Sequence, residues 1–574
     1  MKDKNKDELN TLRHSAAHIM AAAVKKILGN KVKFAIGPAI ENGFYYDFDI
    51  IKPFTYNELI KIENIMNEII SCDFPFVQSY ISKENAISFF KKNNEKYKIE
   101  ILSKIKDDIV SIYKCGDFVD LCKGPHISST GKLSFFKLLS VAGSYWQGNS
   151  STKQLQRIYG TAFLKKENLD SHLNFLSKVK DRDHRKLGKA LELFNISDII
   201  GSGLILWLPN GAVLKNTIEN FLRKLCIENS YSFLSTPHIA NDTLFSISGH
   251  LETYKENMYP PIMSKNISYH VKPMNCPMHL LVYKTKLHSY KDLPIRYAEL
   301  GTVYRFEKSG VLHGLLRARG FTQDDGHIII TPEQLTNEIL KILKMATNCL
   351  KVFGFCEYKI YFATMPKNKY IGNISDWNIA QNIIENTLKT NNYPYDIDDG
   401  GGAFYGPKID IKIKDSIGRL WQCSTIQLDF NLPQRFNIFY VDRFGNKKRP
   451  YLIHRALVGS IERFIGILLE HYAGEFPFWL SPVQVAILTI DDKQKDYCNI
   501  IYKKLNKYNI RVFSNTKKED LRNKIKQCII NKVPYMIIIG EKEKLNKLIS
   551  VKTRKNIDLG SMKIENFISL VQHK

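Results

Sequence analysis

The sequence predicts a multidomain protein of mixed α+β and α/β class, and three observations lead to that prediction. The chain has 574 residues, and at roughly 150 residues for a typical domain this length indicates three or four domains. Short strand-like runs alternate with helical ones between about residues 195 and 478, which is typical of a largely antiparallel sheet. From residue 484 onwards strands and helices alternate one by one, which predicts a small α/β domain with a parallel sheet.

The predicted boundaries follow changes in these patterns. A helix is expected from Glu8 to Leu28, strand-like runs such as FYYDFDI come after it, and a charged helical run covers about residues 81–106. A helical connector from about Lys166 to Leu193 leads into the central stretch, whose strand-like runs include RYAELGTVYRF, KIDIKIKD and QLDFNL. The predicted domains are an N-terminal α+β domain, a central antiparallel-sheet domain and a C-terminal α/β domain, at residues 1–178, 179–478 and 479–574.

The C-terminal prediction depends on five runs in a row. Strand and helix alternate in the order QVAILTI, DYCNIIYKKLNKY, IRVF, EDLRNKIKQCII and YMIIIG. Parallel neighbours need a helical crossover between them, and each of these helical runs is long enough to provide one.

The chain carries a formal net charge of +26 at pH 7, with a sequence pI near 9.4. A positive field of that size favours a polyanionic partner such as nucleic acid. A lysine-rich composition can also follow from nucleotide bias in a genome, so the charge supports this partner without establishing it.

Ten cysteines are spread over the chain without regular close pairs. This pattern argues against the disulfide framework of a small secreted protein and indicates a reducing compartment. The opening MKDKNKDELN fits neither a signal peptide nor a transit peptide, and no apolar run reaches the roughly 18 residues that a membrane span needs. We therefore expect a cytoplasmic protein that does not enter a membrane.

Arginines flank a loop in RYAELGTVYRFEKSGVLHGLLRARGFTQDDGH, residues 296–327. A β-hairpin with solvated arginines would explain any single one of them. The ordered set Arg305-x-Glu307, a loop, and Arg317-x-x-x-Phe321 is more specific. It resembles motif 2 of the class II aminoacyl-tRNA synthetases.

A second segment, ALVGSIERFIGILLE, resembles motif 3 of the same class, with Arg463 as its arginine. The resemblance implies that an amino-acid carboxylate attacks the α-phosphate of ATP, where fixed guanidinium groups stabilise the negative charge that develops. It implies Arg305 at the α-phosphate, Arg463 at the γ-phosphate, and Glu307 as acceptor from the adenine amino group, with Arg317 as a further catalytic residue. Mg²⁺ is expected to accompany the ATP.

Cys276 in KPMNCPMH, His327 in TQDDGH and His454 in LIHRAL lie far apart in the sequence. Taken singly, each is as readily a buried thiol or a core imidazole, so the residues themselves leave a metal role open. Their local strings resemble those around the three zinc ligands of threonyl-tRNA synthetases. The resemblance implies one Zn²⁺ per subunit, and one Cys with two His leaves one position of a tetrahedral ion open.

An open position on the metal suits amino-acid selection. Valine is nearly isosteric with threonine, and an apolar pocket rejects such an isostere only about 10²-fold. A zinc ion that binds both the amino group and the hydroxyl group would reject valine far more strongly. The resemblance makes Asp325 the acceptor from that hydroxyl and places four more residues at the pocket: Gln422, Tyr405, Lys408 and Gln427.

Serine has both groups that such a zinc ion binds and lacks only a methyl, which is worth roughly 1 to 3 kcal/mol. A second, hydrolytic site is therefore needed. His14 and His18 are four residues apart, on one face of the predicted helix, and Cys122 and His126 form another pair in DLCKGPH. Spacing alone leaves zinc and non-metal roles equally open, and incidental histidines are a third interpretation.

The strings HSAAH, GFYYDFD, YKIE, DLCKGPH and AGSYWQG together resemble the editing domain of bacterial-type threonyl-tRNA synthetases. The resemblance implies that polar side chains position a water that deacylates seryl-tRNA, and we do not predict zinc at this site. The editing residues that it implies are His14, His18, Tyr46, Lys98, Asp120, Cys122 and His126.

The C-terminal strings VPYMIIIGEKE and SVKTRKNIDLG resemble the anticodon-binding domain of several class II synthetases. Glu543 and Arg554 are candidate base readers, with a solvated charged loop as the alternative. STPHIANDTLF around Pro237 occupies the place of motif 1, a dimer element, which implies a homodimer. The implied partners are tRNA(Thr), ATP and L-threonine. The family often begins with a ubiquitin-like β-grasp domain, which we expect to be missing because HSAAH starts at residue 14.

Two rival interpretations stay open at this point. Another class II synthetase, such as a prolyl or seryl enzyme, would share the arginines but would not require Cys276, His327 and His454. A non-catalytic RNA-binding regulator on a synthetase scaffold could lose Arg305 or Arg463, and both are present here.

Overall fold

The computed structural model describes residues 2–148, 152–367 and 370–572. The chain divides into two compact units, Met1–Ser177 and Lys178–Lys574, and each is described by itself. Within the described ranges no helix combines the length and apolar character needed to cross a membrane. All ten cysteines lie in these ranges as free thiols.

The first unit combines helices with short antiparallel strands. Its helices are α1 (Lys2–Leu28), α2 (Tyr56–Ser71), α3 (Lys83–Lys92), α4 (Lys96–Lys104) and α5 (Lys166–Asp181), the last of which carries the chain into the second unit. Its strands are β1 (Lys33–Phe34), β2 (Ala39–Ile40), β3 (Gly43–Asp49), β4 (Phe76–Ser82), β5 (Ile109–Cys115), β6 (Phe118–Leu121), β7 (Phe135–Tyr145) and β8 (Gln154–Phe163).

Helix α1 packs against β3 and β8 in the core of this unit. The sheet has the order β1-β3-β8-β7, with β2 paired to β3, and a second sheet has the order β4-β5-β6. Small buried residues such as Ala16, Ala17 and Ala21 let α1 approach the strands closely. The predicted α+β character of the N-terminal part is thus what the structure has.

The charged run predicted as one helix over residues 81–106 is two helices, and that part of the prediction is wrong. Residues 81 and 82 still belong to β4, and α3 ends before Asn93. Asn94 has φ 55°, the left-handed conformation, which asparagine adopts more easily than most residues and which ends a helix. The missed signal is the pair Asn93-Asn94.

The second unit contains the remaining elements. Its helices are α6 (His184–Ala190), α7 (Pro209–Glu228), α8 (Asp242–Ile247), α9 (His250–Thr253), α10 (Cys276–Tyr283), α11 (Leu335–Val352), α12 (Ile374–Thr390), α13 (Asn431–Arg435), α14 (Ile461–Tyr472), α15 (Lys495–Lys507), α16 (Leu521–Ile530), α17 (Glu541–Asn546) and α18 (Ile564–Gln572).

The strands of the second unit fall into one large sheet and several smaller ones. They are β9 (Phe194–Ile196), β10 (Ile205–Trp207), β11 (Ser232–Phe233), β12 (Ile239–Asn241), β13 (Ile262–Ser264), β14 (Ile267–Val271), β15 (Ile295–Tyr304), β16 (Gly320–Ile330), β17 (Tyr358–Ala363), β18 (Tyr395–Asp398), β19 (Lys408–Lys414), β20 (Leu420–Asp429), β21 (Tyr440–Val441), β22 (Lys447–Lys448), β23 (Tyr451–Ala456), β24 (Val485–Thr489), β25 (Val512–Asn515), β26 (Tyr535–Ile539), β27 (Ile549–Thr553) and β28 (Asp558–Met562).

The large sheet has eight strands in the order β11-β15-β16-β23-β20-β19-β17-β18. Its six central strands are antiparallel, and only the edge strands β11 and β18 pair in parallel. The predicted antiparallel sheet is confirmed. Helix α14 packs on β16 and α11 on β20, which covers one face of the sheet with apolar side chains.

The strand predicted at QLDFNL ends earlier than expected. The Oδ1 atom of Asp429 accepts hydrogen bonds from the backbone N–H groups of Asn431 and Leu432, at 2.7 and 3.0 Å. An aspartate that accepts from the next N–H groups starts a helix, so the last residues of this run belong to α13.

The C-terminal sheet has the order β25-β24-β26-β27-β28 and is mixed rather than parallel. Strands β25, β24 and β26 are parallel, as predicted, whereas β27 and β28 are antiparallel to their neighbours. A parallel return needs a crossover of about a dozen residues or more. Only residues 540–548 separate β26 from β27, and 554–557 separate β27 from β28, so the chain turns straight back.

Candidate functional sites

A cavity of about 620 Å³ lies on the large sheet of the second unit. Strand β16 contributes alternate residues to it, namely Gln323, Asp325 and His327, because successive side chains point to opposite faces of a sheet. The residues predicted from sequence that line this cavity are Cys276, Arg305, Glu307, Arg317, Asp325, His327, Tyr405, Gln422, Gln427, His454 and Arg463. Lys408 is not in the lining. Its ammonium pairs with Asp410, at 2.7 Å.

Two of the arginines reach the cavity from different elements. Arg305 directly follows β15, and its guanidinium lies 5.2 Å from the ring centre of Phe321. Arg463 lies in the first turn of α14, where the Ser460 hydroxyl accepts its backbone N–H at 3.2 Å. The buried Nε of Arg463 has no hydrogen-bond partner among the described residues. A buried donor without a partner is costly, and an anionic ligand in the cavity would pair with it.

Arg317 and Glu307 hold each other at the cavity wall. The Nε and Nη2 atoms of Arg317 donate to Oε2 of Glu307, at 3.1 and 2.8 Å. Both bonds fall on one carboxylate oxygen, and together they fix the orientation of the Glu307 side chain.

Cys276, His327 and His454 meet at the base of the cavity. One ligand atom from each lies within 4.8 Å of the others, and all three residues are buried. Cys276 begins α10, while His327 and His454 face each other on the neighbouring strands β16 and β23. Residues that are far apart in the sequence thus converge through strand register.

The hydrogen bonds around the two histidines determine which ring nitrogens carry protons. Asp429 lies 2.9 Å from Nε2 of His454, so that nitrogen donates and Nδ1 is left with a lone pair. When His279 is neutral and its Nε2 donates to Glu299, at 2.9 Å, Nδ1 of His279 accepts from Nδ1 of His327, also at 2.9 Å. Nε2 of His327 therefore also carries a lone pair.

These two lone pairs point at each other across 2.9 Å, from His327 Nε2 to His454 Nδ1. Two acceptors at that distance repel unless a cation, either a proton or a metal ion, lies between them. A carboxylate behind a ligating histidine is also the usual support of a bound metal. The donor set of one thiol and two imidazoles suits zinc, so the residues present fit that ion.

The thiol also fits this interpretation. Burial, and next the nearby Asp325 and Asp429, raise the pKa of the Cys276 thiol well above its ordinary value. A bound divalent cation reverses such a shift, because it stabilises the thiolate directly.

Further polar groups surround this cluster. Asp325 accepts from the side-chain amide of Asn275 at 3.0 Å, and burial raises the pKa of its carboxyl. The Tyr405 hydroxyl donates to the Gln427 side chain. The pairing of β19 with β20 shifts register at Cys423, a bulge beside Gln422 that changes the direction of the following side chains.

A second cavity, of about 590 Å³, lies in the first unit. The predicted residues that line it are His14, His18, Lys98, Asp120 and Cys122. His14 and His126 both contact the thiol of Cys122, with their Nε2 atoms at 3.3 and 3.2 Å from Sγ. One ligand atom each from His14, His18, Cys122 and His126 falls within 4.8 Å of the others, so distance alone does not exclude a metal here.

The members of this cluster are neutral over the physiological range. Burial, and next the neighbouring His18 and His14, lower the pKa of His126 to about 2. Burial raises the pKa of the Cys122 thiol to about 11. Neutral imidazoles and a neutral thiol can accept or donate a hydrogen bond to a water or a hydroxyl group without carrying charge.

Beside the cluster is a charged network. The Lys98 ammonium pairs with Asp120, and Asp120 Oδ2 accepts from the Tyr46 hydroxyl at 2.6 Å. All three side chains are buried. The structure thus brings all seven predicted residues of this part together, with Tyr46 and His126 supporting the cavity from behind its lining.

The two residues predicted to read bases have structural partners. Glu543 accepts from the Gly540 backbone N–H at 3.0 Å and so caps α17. The Arg554 guanidinium donates to the Phe476 carbonyl at 2.8 Å and is partly buried.

Sequence reasoning missed several residues around the first cavity. His279 and Glu299 support His327, and His250 is a buried histidine whose pKa burial, with Arg305, lowers to about 4. His279 stands three residues after Cys276, and that spacing on a helix could have pointed to it. Nothing in the sequence relates Glu299 to either residue, because only strand pairing brings it near.

Three stretches of the chain match known family models. Residues 261–472 match the class II core domain of tRNA synthetases (G, H, P, S and T), residues 484–574 an anticodon binding domain, and residues 110–159 the second additional domain of threonyl and alanyl tRNA synthetases. The arginine-lined cavity on an antiparallel sheet together with these matches defines a class II aminoacyl-tRNA synthetase.

Relatives narrow the class to one family. A threonine–tRNA ligase of Aquifex aeolicus is 49% identical over 573 residues, which cover 99% of this chain and 90% of that protein. One from Acetivibrio thermocellus is 50% identical over 560 residues, 97% of this chain and 87% of that protein. The chain belongs to the threonine–tRNA ligase family, as the sequence predicts.

A solved structure agrees with this assignment. The RNA binding domain of threonyl-tRNA synthetase from Cryptosporidium parvum is 37% identical and superposes with a TM-score of 0.65, covering 68% of this chain and 98% of that one.

Proposed function

We propose that the chain activates L-threonine with ATP in the first cavity, transfers it to tRNA(Thr), and hydrolyses seryl-tRNA(Thr) in the second. The convergence of Cys276, His327 and His454 in the cavity that Arg305 and Arg463 also line carries this proposal. An amino-acid site and a polyphosphate site share one enclosure, as adenylate formation requires.

The arginines act on ATP in this proposal. As the threonine carboxylate attacks the α-phosphate, Arg305 stabilises the charge that builds there, while Arg463 holds the γ-phosphate of the leaving diphosphate. Glu307, oriented by Arg317, accepts from the adenine amino group. Mg²⁺ arrives with the ATP.

Threonine binds at the base of the cavity. Cys276, His327 and His454 would hold Zn²⁺, which would supply a Lewis acid that binds the amino and hydroxyl groups of the substrate. Asp325 accepts from the hydroxyl, and Tyr405, Gln422 and Gln427 line the pocket. Lys408, opposite Gln427 on the next strand, belongs to the proposal as a neighbour of the pocket.

Editing takes place in the first unit without a metal. Serine is also activated in the first cavity, because it differs from threonine by only one methyl group. His14, His18, Cys122 and His126 are neutral and converge, and they would position a water at the ester. On the charged side of this cavity, Asp120 is held in place by the ion pair with Lys98 and the hydrogen bond from Tyr46.

The remaining parts of the proposal concern the whole chain. The domains are residues 1–178, 179–478 and 479–574, with Glu543 and Arg554 near the anticodon. A homodimer is supported by exposed apolar side chains on β12, β13 and β14, close to Pro237: Ile239, Ile262, Met263 and Ile267. The compartment is the cytoplasm.

Pyrophosphate exchange tests the proposal. The parent protein should exchange pyrophosphate into ATP with threonine, about 10- to 200-fold less efficiently with serine, and not with valine or proline. Arg463→Ala should lose at least about 10²-fold of the rate, because it removes a charge that stabilises the transition state. The matched variant Arg443→Ala, which lies outside the cavity lining, should keep the parent rate. Exchange that depends on proline, or an unimpaired Arg463→Ala variant, would refute the assignment.

A further inference from the structure

A fully buried histidine outside the recognised motifs bridges two walls of the first cavity. His184 is 0% exposed, and it begins α6. Its Nδ1 lies 2.7 Å from Glu470, and its Nε2 accepts the backbone N–H of Leu315 at 3.1 Å. Glu470 belongs to α14, which also carries Arg463, whereas Leu315 belongs to the loop that carries Arg317.

The hydrogen bonds fix the tautomer of this histidine. The Glu470 carboxylate accepts from both the backbone N–H and Nδ1 of His184, at 3.1 and 2.7 Å. The proton therefore sits on Nδ1, and Nε2 presents its lone pair to the amide of Leu315. Both nitrogens of the ring are in use. The cluster of Asp183, His184 and Glu470 thus has no free imidazole nitrogen for a metal.

The loop around Leu315 is held tightly against these groups. Gly314 has φ +51°, and a side chain there would place its Cβ 2.3 Å from Nε2 of His184. On the opposite side, a Cβ on Gly466 of α14 would come within 3.1 Å of Leu316. Two glycines therefore allow the loop, the histidine and the helix to meet.

The network continues from Glu470 to Arg463. Arg419 donates to Glu470 and, at 2.7 Å, to Asp415. Asp415 also accepts from the Trp421 indole at 2.9 Å, and the Trp421 ring lies 6.0 Å from the Arg463 guanidinium. His184 is thus connected to both Arg317 and Arg463 through buried or half-buried groups.

We propose that His184 is a positioning residue for ATP. It holds the loop His313–Ala318 in the position in which Leu315, Leu316 and Arg317 line the part of the cavity that binds the nucleotide. The three residues line the cavity. Without the bond that Leu315 donates to Nε2, no backbone N–H among the described residues 313–318 would be anchored by a side chain. The inference rests on the proposed ATP site, and the controls below separate the two.

The test is a pair of variants in the full-length protein. His184→Asn keeps a donor for Glu470 but cannot reach Leu315, so the KM for ATP in threonine-dependent exchange should rise on the order of tenfold, as one lost hydrogen bond of about 1.4 kcal/mol implies. The KM for threonine and the zinc content should stay at the parent values. His184→Gln, whose longer side chain can reach the Leu315 amide, should recover most of the loss.

Hydrogen exchange gives a readout that activity does not. Backbone amides of residues 313–318 should exchange faster in His184→Asn than in the parent, and those of α11 should not change. His288→Asn serves as the control, because His288 is also buried but bonds the Tyr283 carbonyl and does not line the cavity. Its KM for ATP should stay at the parent value.

An unchanged KM for ATP in His184→Asn would overturn the inference, and so would equal rises in the KM for ATP and for threonine, which indicate a general loss of structure. If His184→Asn does not fold, Glu470→Gln tests the same inference, because glutamine has the shape of glutamate but accepts a weaker hydrogen bond from Nδ1 of His184. This variant should raise the KM for ATP and leave the KM for threonine unchanged. An unchanged KM for ATP would refute the role of His184. A parent protein without ATP-dependent exchange would refute the proposed function instead.

Discussion

At the scale of single residues, the protonation of three histidines explains the base of the first cavity. Asp429 accepts from Nε2 of His454, and Glu299 accepts from His279, which in turn accepts from Nδ1 of His327. One lone pair of His327 and one of His454 therefore point to the same place. Cys276 adds a thiol within 4.8 Å of both. Both carboxylates lie behind the imidazoles, and they determine which ring nitrogens have a lone pair for a metal.

Zinc binding by this cluster should depend on a residue that does not touch the metal. His279→Gln removes the group that makes Nδ1 of His327 a donor, so the affinity for zinc should fall by about 10- to 100-fold, as for other supports of a ligating histidine. Competition against a zinc chelator measures this affinity. Cys276→Ser should lose the metal altogether, and Cys122→Ser should keep about one zinc per chain.

Equal zinc affinity in His279→Gln and the parent would contradict the tautomer assignment. Two zinc ions per chain, with one lost in Cys122→Ser, would contradict the proposal that the editing cluster works without a metal.

At the scale of elements, the sequence predicted most strands and helices because their patterns are local. The predicted helix Glu8–Leu28 lies within α1, and the five C-terminal runs each match an element within a few residues. Errors arose where a turn residue interrupted a charged run, as at Asn94, or where the direction of pairing depended on loop length, as for β27. The direction in which two strands pair depends on the tertiary structure, so the hydrophobic periodicity of a single strand cannot predict it.

The same distinction applies to the sites. Individual candidate ligands could be named through resemblance to family motifs, and the structure brings them together. The supporting residues Glu299, Asp429 and His184 belong to no short motif. Their roles follow from strand register and from buried hydrogen bonds across up to 286 positions of sequence, which no local pattern encodes.

Helix α1 and the loop of Cys122 should make the first unit sensitive to acid. Burial lowers the pKa of His14, His18 and His126 below the ordinary value of 6.5. Above that pH both folded and unfolded chains hold these rings neutral, so they add no pH dependence. Below pH 6.5, these histidines become protonated in the unfolded chain but stay neutral in the folded chain. The free energy of unfolding should therefore decrease as pH falls from 6.5 towards about 2.

A double comparison isolates this effect. The difference in free energy of unfolding between the parent and His126→Asn, measured by denaturant unfolding, should be largest at pH 7.5 and smaller at pH 5. At pH 5 the unfolded parent is stabilised by protonation of His126, and the variant has no imidazole at this position. A difference that stays constant or grows on acidification would show that His126 is not held neutral by the fold.

At the scale of the whole molecule, the chain separates two chemical tasks. The cluster of Cys276, His327 and His454 lies in the second unit, and the cluster of His14, Cys122 and His126 lies in the first. Each has its own cavity and its own buried support. A net charge of +26 suits a polyanionic substrate that must present its acylated end to both.

This separation predicts that editing can be removed while charging continues. His14→Ala and Cys122→Ala change only the first unit, so threonine charging should stay near the parent rate while seryl-tRNA(Thr) accumulates. The matched variant Cys72→Ala, an exposed thiol of the same unit, should behave as the parent in both reactions.

The most direct measurement is the hydrolysis of preformed seryl-tRNA(Thr) by the parent and by Cys122→Ala, with threonine charging measured on the same preparations. We predict rapid deacylation by the parent, a loss of about 10²-fold or more in the variant, as for removal of a group that positions a proton, and equal charging by both. Equal deacylation by parent and variant, or a parallel loss of charging, would contradict this prediction.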